Sequence, residues 1–135
     1  MKNLLAAIAF AFAGVFTARA GKPIVAGPLA AESWIKSEPT LQVLDVRTRE
    51  EFESGHIDKA VRIAWPDKEF AKRIGKKLDP KKPVLVYCRS GKRSAQAAEE
   101  LLKLGFTDVR TLEGGILLWA ESGKPLVRPG AGSPP

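Results

Sequence analysis

The stretch V-L-V-Y-C-R-S-G-K-R-S, Val84 to Ser94, decides how the rest of the chain is read. Its first residues are apolar on both alternating faces and rich in β-branched and aromatic types, which predicts a strand over Val84–Cys88 covered on both sides. Pro83 precedes it, where a missing N–H costs the ladder little. Beyond the turn the period changes from two to 3.6. Ala97, Ala98, Leu101, Leu102 and Leu104 fall on one face of a helix over Arg93–Leu104, and Gly105 stands where such a helix stops.

The same alternation extends outward in both directions. Leu41–Val46, Val61–Ile63 and Val109–Leu112 read as further strands, and Leu29–Ser37, Thr48–Ser54, Lys68–Leu78 and Ile116–Ser122 as helices between or after them. Strands separated by helices require right-handed crossovers, so the fold class is α/β with a largely parallel sheet between helical layers. No internal repeat and no domain boundary interrupts the pattern after residue 21.

The chain has 135 residues, and its first twenty differ in character from the rest. Lys2, the apolar run from Leu4 to Phe16 and the A-x-A triplet Ala18-Arg19-Ala20 have the layout of a secretory signal peptide cleaved before Gly21. The apolar run is shorter than the roughly 20 residues a bilayer core demands, so no stable anchor is expected after cleavage, and the expected location is the periplasm. A single domain over 21–128 follows, and residues 129–135 read as a disordered tail from their Pro and Gly content.

Without Lys2 and Arg19, the remaining 20 basic residues exceed the 15 acidic ones by five. The excess reads as scattered. Because no stripe of Lys and Arg interleaved with exposed aromatics stands out, a nucleic-acid partner is not expected. Cys88 is the sole cysteine and His56 the sole histidine, so neither an internal disulfide nor a zinc or copper ligand set can be assembled from them.

A lone cysteine is often just a small buried hydrophobe. Cys88 stands instead at the carboxyl end of the most apolar strand and just before the strongest helix, where ligands collect in open α/β sheets. In the turn Arg89-Ser90-Gly91-Lys92-Arg93, backbone N–H groups, the helix start and three cations all favour an anion. A free thiol with a pKa of ~8.5 is only about 3% ionised at pH 7, and lowering it to ~6.5 takes ~2.7 kcal/mol. A helix end supplies about 0.3 to 1 kcal/mol, so loop amides and the charges of Arg89, Lys92 and Arg93 are expected to provide the remainder. The sulfur so activated is expected to stand open to solvent.

The segment C-R-S-G-K-R-S resembles the active-site loop of the rhodanese (sulfurtransferase) family, C-R-x-G-x-R-S. L-D-V-R-T-R-E-E-F-E-S-G-H-I, Leu44 to Ile57, is similar to the family's D-x-R…E-F…G-H-I segment, and E-G-G-I-L-L-W-A-E-S-G-K-P, Glu113 to Pro125, to its G-G-x-x-x-W…G-x-P ending. The resemblance implies a three-layer fold around a mostly parallel five-stranded sheet. It also implies a ping-pong reaction in which Cys88 takes a sulfane sulfur from a thiosulfate-like anion and passes it to cyanide, a thiol or a protein acceptor. Arg89, Ser90, Gly91, Lys92, Arg93 and Ser94 are then the substrate cradle, Ser94 offering its hydroxyl to the thiolate, and no metal or organic cofactor is implied.

Loop length distinguishes this reading from a cysteine phosphatase, whose C-x5-R cradle holds a tetrahedral oxyanion. Here four residues separate Cys88 from Arg93, and no aspartic general acid is identifiable by motif. Two alternatives keep the same loop: a carrier that delivers persulfide sulfur to a dedicated protein partner, and an idle scaffold, although idle relatives often lack the cysteine.

Asp45 and Arg47 lie at the end of a parallel strand, from which both side chains can face the same crevice. Arg47 is expected to bind substrate, with an Asp45 ion pair as the structural alternative. His56 is expected to serve the Gly55-His56-Ile57 turn, and Trp119 and Trp34 the core. Ser90 replaces a lysine found in some thiosulfate-using members, and Trp65-Pro66 stands in an altered N-I-P segment, placing a large aromatic either at the pocket rim or in local packing.

Overall fold

A computed structural model describes residues 21–129. The predicted leader, 1–20, and residues 130–135 of the predicted tail lie outside them. Five strands, β1 (Ile24–Ala26), β2 (Gln42–Asp45), β3 (Val61–Arg62), β4 (Val84–Tyr87) and β5 (Val109–Leu112), alternate with α1 (Pro28–Ser37), α2 (Arg49–Ser54), α3 (Phe70–Lys77), α4 (Lys92–Lys103) and α5 (Gly115–Glu121). The sheet order is β1-β5-β4-β2-β3 and every strand pairing in it is parallel.

The apolar run at Val84–Tyr87 becomes the central strand, and all four residues are fully buried. Its alternation divides the core into two layers. Val84, Val86 and Cys88 face α3 and α4 through Phe70, Ile74, Ala97, Ala98 and Leu101. Leu85 and Tyr87 face the opposite side, against Ala31 of α1 and Ile116 and Trp119 of α5. Burying each large apolar side chain contributes about 1.5–3 kcal/mol, which is why a four-residue strand can organise the domain.

Three differences from the sequence-based expectation have simple causes. β1 carries no sequence signal because it is a three-residue edge strand whose Ile24 and Val25 are exposed, leaving no buried run to detect. α4 starts at Lys92, one residue earlier than expected, because Gly91 adopts a left-handed conformation (φ 114°) and serves as the N-cap. Near the C terminus, His56 and Val127 exchange both backbone hydrogen bonds, at 2.9 and 2.8 Å, in an isolated antiparallel bridge that ties the final segment to the end of α2.

Parallel pairing of Asp45 with Tyr87 places the segments after β2 and β4 side by side at one end of the sheet. The turn after β5 emerges there too, so the three sequence segments singled out above converge at the carboxyl edge.

Candidate functional site

Cys88 Sγ lies at the floor of a ring of backbone amides. Gly91 N–H donates to it at 3.1 Å and Ser94 N–H at 3.4 Å, while the Ser94 hydroxyl is 3.5 Å away and within 3.2 Å of the Gly91 carbonyl. Ser90 N–H also stabilises the thiolate, and the peptide unit that turns it inward must turn the Arg89 carbonyl outward; that carbonyl and the Cys88 carbonyl beside it both need donors. The first turn of α5 supplies them. Ile116 N–H donates to the Cys88 carbonyl at 2.9 Å and Leu117 N–H to the Arg89 carbonyl at 3.1 Å. Those are N–H groups that a helix start leaves without intrahelical partners, used here to hold the loop in the inverted sense.

The approach is close enough to require glycine. A Cβ on Gly115 would fall 2.3 Å from the Arg89 carbonyl oxygen and 2.7 Å from that of Cys88, and Gly115 itself has φ +59°. The Gly114-Gly115 pair is therefore part of the site's construction.

Burial of the thiol works to raise its pKa, but its hydrogen bond with the Ser94 hydroxyl and those from the amides of Ser94, Gly91 and Ser90 outweigh it and hold Cys88 below the ordinary range. Of the two sources expected, loop amides and loop cations, the amides together with Ser94 carry the shift. Arg89 and Lys92 are exposed to solvent, and Arg93 is engaged elsewhere. One correction concerns access: the sulfur is not open to solvent, since Cys88 is 1% exposed, because β4 directs it into the layer beneath α4. We expect the alkylation rate of Cys88 to rise with pH to a midpoint below that of a free thiol. Ser94→Ala should move that midpoint upward, because the thiolate loses one of the groups that stabilise it.

Arg93 makes two parallel hydrogen bonds to Glu51, both at 2.9 Å. Glu51 also accepts from Thr48 N–H at 2.9 Å, and Thr48 Oγ1 accepts from Glu51 N–H at 3.2 Å, closing a capping box at the start of α2. The Arg93 guanidinium pulls the Glu51 carboxyl down to about 2. Because that pKa is depressed on folding, the pair stabilises above about pH 4.5 and its contribution fades as pH falls toward 2. Both side chains are about one quarter exposed, which limits the gain to about 1 kcal/mol. Glu51→Gln should therefore unfold at lower temperature at pH 7 but converge on the parent as pH approaches 2, a trend that thermal melts across this range would reveal.

The structure gives Arg47 the structural alternative. Its guanidinium donates to Asp45 at 2.7–3.1 Å and to the Gly55 carbonyl at 2.7 Å, and it lies over the Tyr87 ring. Arg47 is 4% exposed, so its charge fixes the junction of β2 and α2 behind the loop and does not stand free for a substrate. One edge of it borders a cavity of about 220 Å³ whose wall also includes Arg89, Ile116, Leu117 and Leu126.

His56 stacks on Phe52 with ring centroids 3.7 Å apart, and its Nδ1 lies 3.0 Å from the Phe52 carbonyl. Trp119 is core, and Trp34 lies half-buried against the Arg110 guanidinium. Trp65 packs edge-on to Phe70 and donates to Gln96 at 3.2 Å, on the flank of α4 and not at the cysteine.

The rhodanese-like domain family matches residues 29–122, most of the described chain. This chain belongs to the rhodanese family. Thiosulfate sulfurtransferase 18 of Arabidopsis thaliana is 35% identical over 96 residues, which cover 63% of this chain and 71% of that one. Among solved structures, a crystal structure of the Alr3790 protein from Anabaena is 27% identical with a TM-score of 0.70, covering 76% of this chain and 82% of that one. The polysulfide-sulfur transferase homodimer of Wolinella succinogenes is 25% identical with a TM-score of 0.67 over 92% of each chain.

Within this member of the family the structure gathers Cys88, Gly91, Arg93 and Ser94 around the start of α4, with Arg89, Ser90 and Lys92 at the exposed rim. Two contributors escape a reading of the sequence. Glu51 is readable as a helix cap, since Thr48-x-x-Glu51 is a capping-box pattern, but nothing in the sequence joins it to Arg93. The α5 amides have no sequence signal beyond the two consecutive glycines.

Proposed function

We propose that the protein is a thiosulfate-type sulfurtransferase in which Cys88 carries the sulfur as a persulfide. The observation that carries this reading is the set of N–H groups aimed at Cys88 Sγ across a loop only four residues long between Cys88 and Arg93. The Cys88 thiolate attacks the outer sulfur of thiosulfate, the S–S bond of the donor breaks, and sulfite leaves with the bonding pair. The new terminal sulfur sits within the amide ring, which keeps the persulfide anionic. Arg89 and Lys92, exposed at the rim, attract the donor's sulfonate while only its sulfane sulfur descends to the floor. Cyanide or a thiolate then takes the terminal sulfur, and the Cys88 thiolate returns.

Incubation with thiosulfate followed by intact-mass measurement should show one added sulfur, and subsequent cyanide should release it as thiocyanate. No mass gain would exclude thiosulfate as donor. A mass gain that cyanide cannot discharge would favour a carrier that hands sulfur to a protein partner.

The signal-like layout of Lys2, Leu4–Phe16 and Ala18-Arg19-Ala20 supports export, and the location we propose is the periplasm. N-terminal sequencing of the protein recovered from a periplasmic extract should begin at Gly21.

A further inference from the structure

The excess positive charge of the chain is concentrated in one segment, which corrects the expectation of a scattered distribution. Seven basic and two acidic residues lie between positions 68 and 82, while the rest of the described chain has thirteen of each. Opposite charges cancel elsewhere. Phe70 and Ile74 of α3 and the following Leu78 are buried in the core and fix the helix against the sheet. That leaves Lys72, Arg73, Lys76, Lys77, Lys81 and Lys82 exposed on a rigid platform. Of these six, only Lys72 has an ion-pair partner among the described residues, Glu69 at 4.0 Å.

The position of this surface in the fold indicates what it meets. α3 runs antiparallel to the strands, so its end and the turn after it lie at the amino edge of the sheet, opposite Cys88. The hydrogen bonds confirm this: Gln42, first residue of β2, donates to the Asp79 carbonyl at 2.9 Å and accepts from Asp79 N–H at 2.7 Å. The chain enters the domain at the same edge. Gly21, Lys22 and Pro23 line one surface hollow with Glu99, Leu102 and Lys103 near the end of α4, on the side of the sheet that α3 covers. The sequence just before Gly21 is the apolar run Leu4–Phe16 followed by Arg19. The start of the described chain and a cationic surface thus share one end of the molecule. All but one of the seven cations are lysines, compact point charges suited to a diffuse anionic field more than to bidentate pairing with single carboxylates.

We propose that the lysine-rich end of the domain, α3 and the turn after it, docks on an anionic phospholipid surface. In that orientation the sulfur loop faces away from the bilayer and remains open to soluble donors and acceptors. The attraction is electrostatic and peripheral; it needs no retained anchor, and it is independent of the sulfur chemistry.

The test uses the chain from Gly21 onward, since both core layers are built from described residues and the apolar leader would itself partition into any bilayer. The wild type should co-sediment with vesicles containing phosphatidylglycerol but not with pure phosphatidylcholine vesicles, and added salt should release it. Each basic residue held near an anionic bilayer strengthens binding by about fivefold, so reversing four charges (K76E, K77E, K81E and K82E together) should weaken it by more than about 100-fold. Circular dichroism of the variant verifies the fold, and the salt series on the wild type gives an independent reading should the variant fail to fold. Absence of binding to the anionic vesicles at low salt overturns the proposal, as does binding that charge reversal leaves intact. Retention of the wild type by soluble polyglutamate without vesicle binding would assign the surface to an acidic polypeptide and equally overturn it.

Discussion

Cys88→Ser should take up no sulfur from thiosulfate and should release no thiocyanate above background, a loss of at least about 1000-fold in turnover. The hydroxyl is barely ionised at neutral pH, so the ring of N–H groups would face a neutral oxygen that neither attacks a sulfane sulfur nor holds one. The domain should survive the change. Gly91 N–H and Ser94 N–H keep an acceptor in the serine oxygen, which limits the cost of placing a hydroxyl where the thiol is 1% exposed to about 1–2 kcal/mol. Cys88→Ala makes the useful contrast. It removes the acceptor, leaves two N–H groups aimed at an empty corner, and should cost stability more than serine does. Thermal melts of the two variants beside the mass measurement would separate loss of the nucleophile from loss of the loop. A serine variant that still accepted sulfur would remove Cys88 from the mechanism.

The two halves of the site differ in how visible they are before folding. Val84–Tyr87 is legible because four consecutive β-branched, aliphatic and aromatic residues between a proline and a polar turn suit a buried strand and are too few for a buried helix. α4 is legible because its apolar positions repeat at helical spacing up to a glycine. Those two elements fix the place of Cys88 by adjacency alone. β1 and the His56–Val127 bridge are not legible, since edge pairing draws on backbone groups that every residue possesses.

The charges are visible in the sequence but their partners are not. Arg89, Lys92 and Arg93 follow the cysteine closely, which invites a coulombic account of the lowered thiol pKa. Folding brings Glu51 across 42 positions to neutralise Arg93, and leaves the other two in water, where a charge is strongly screened. What remains is shorter in range and better aimed. Amides at 3.1 and 3.4 Å with a hydroxyl at 3.5 Å do for the buried sulfur what distant cations cannot. Arg47 repeats the lesson, since its nearest sequence partner, Asp45, holds it in place and engages its charge.

That account makes the orientation of the loop peptides the decisive variable, and Gly115→Ala tests it without touching the loop. The added methyl would lie 2.3 Å from the Arg89 carbonyl oxygen, 2.5 Å from its carbon and 2.7 Å from the Cys88 carbonyl oxygen. All three are main-chain atoms, so no flexible side chain can yield. The residue would also have to hold φ +59°, which an alanine adopts at a cost of about 1–2 kcal/mol. α5 must therefore back away from the loop, breaking the bonds from Ile116 N–H to Cys88 and from Leu117 N–H to Arg89. Overpacking and strain together should lower stability by about 2–4 kcal/mol. With their carbonyls released, the peptides after Cys88 are free to rotate, the amides leave the sulfur, and the alkylation midpoint should climb toward that of a free thiol. Sulfur uptake should fall by more than about 100-fold. Gly75→Ala supplies the control, because a methyl there meets nothing within 4 Å and sits in the ordinary conformation of α3. It should stabilise by up to about 1 kcal/mol and leave the thiol profile unchanged. If Gly115→Ala folded and kept the parent's alkylation profile and turnover, the amide ring would not be what activates Cys88, and the lowered pKa would need another source.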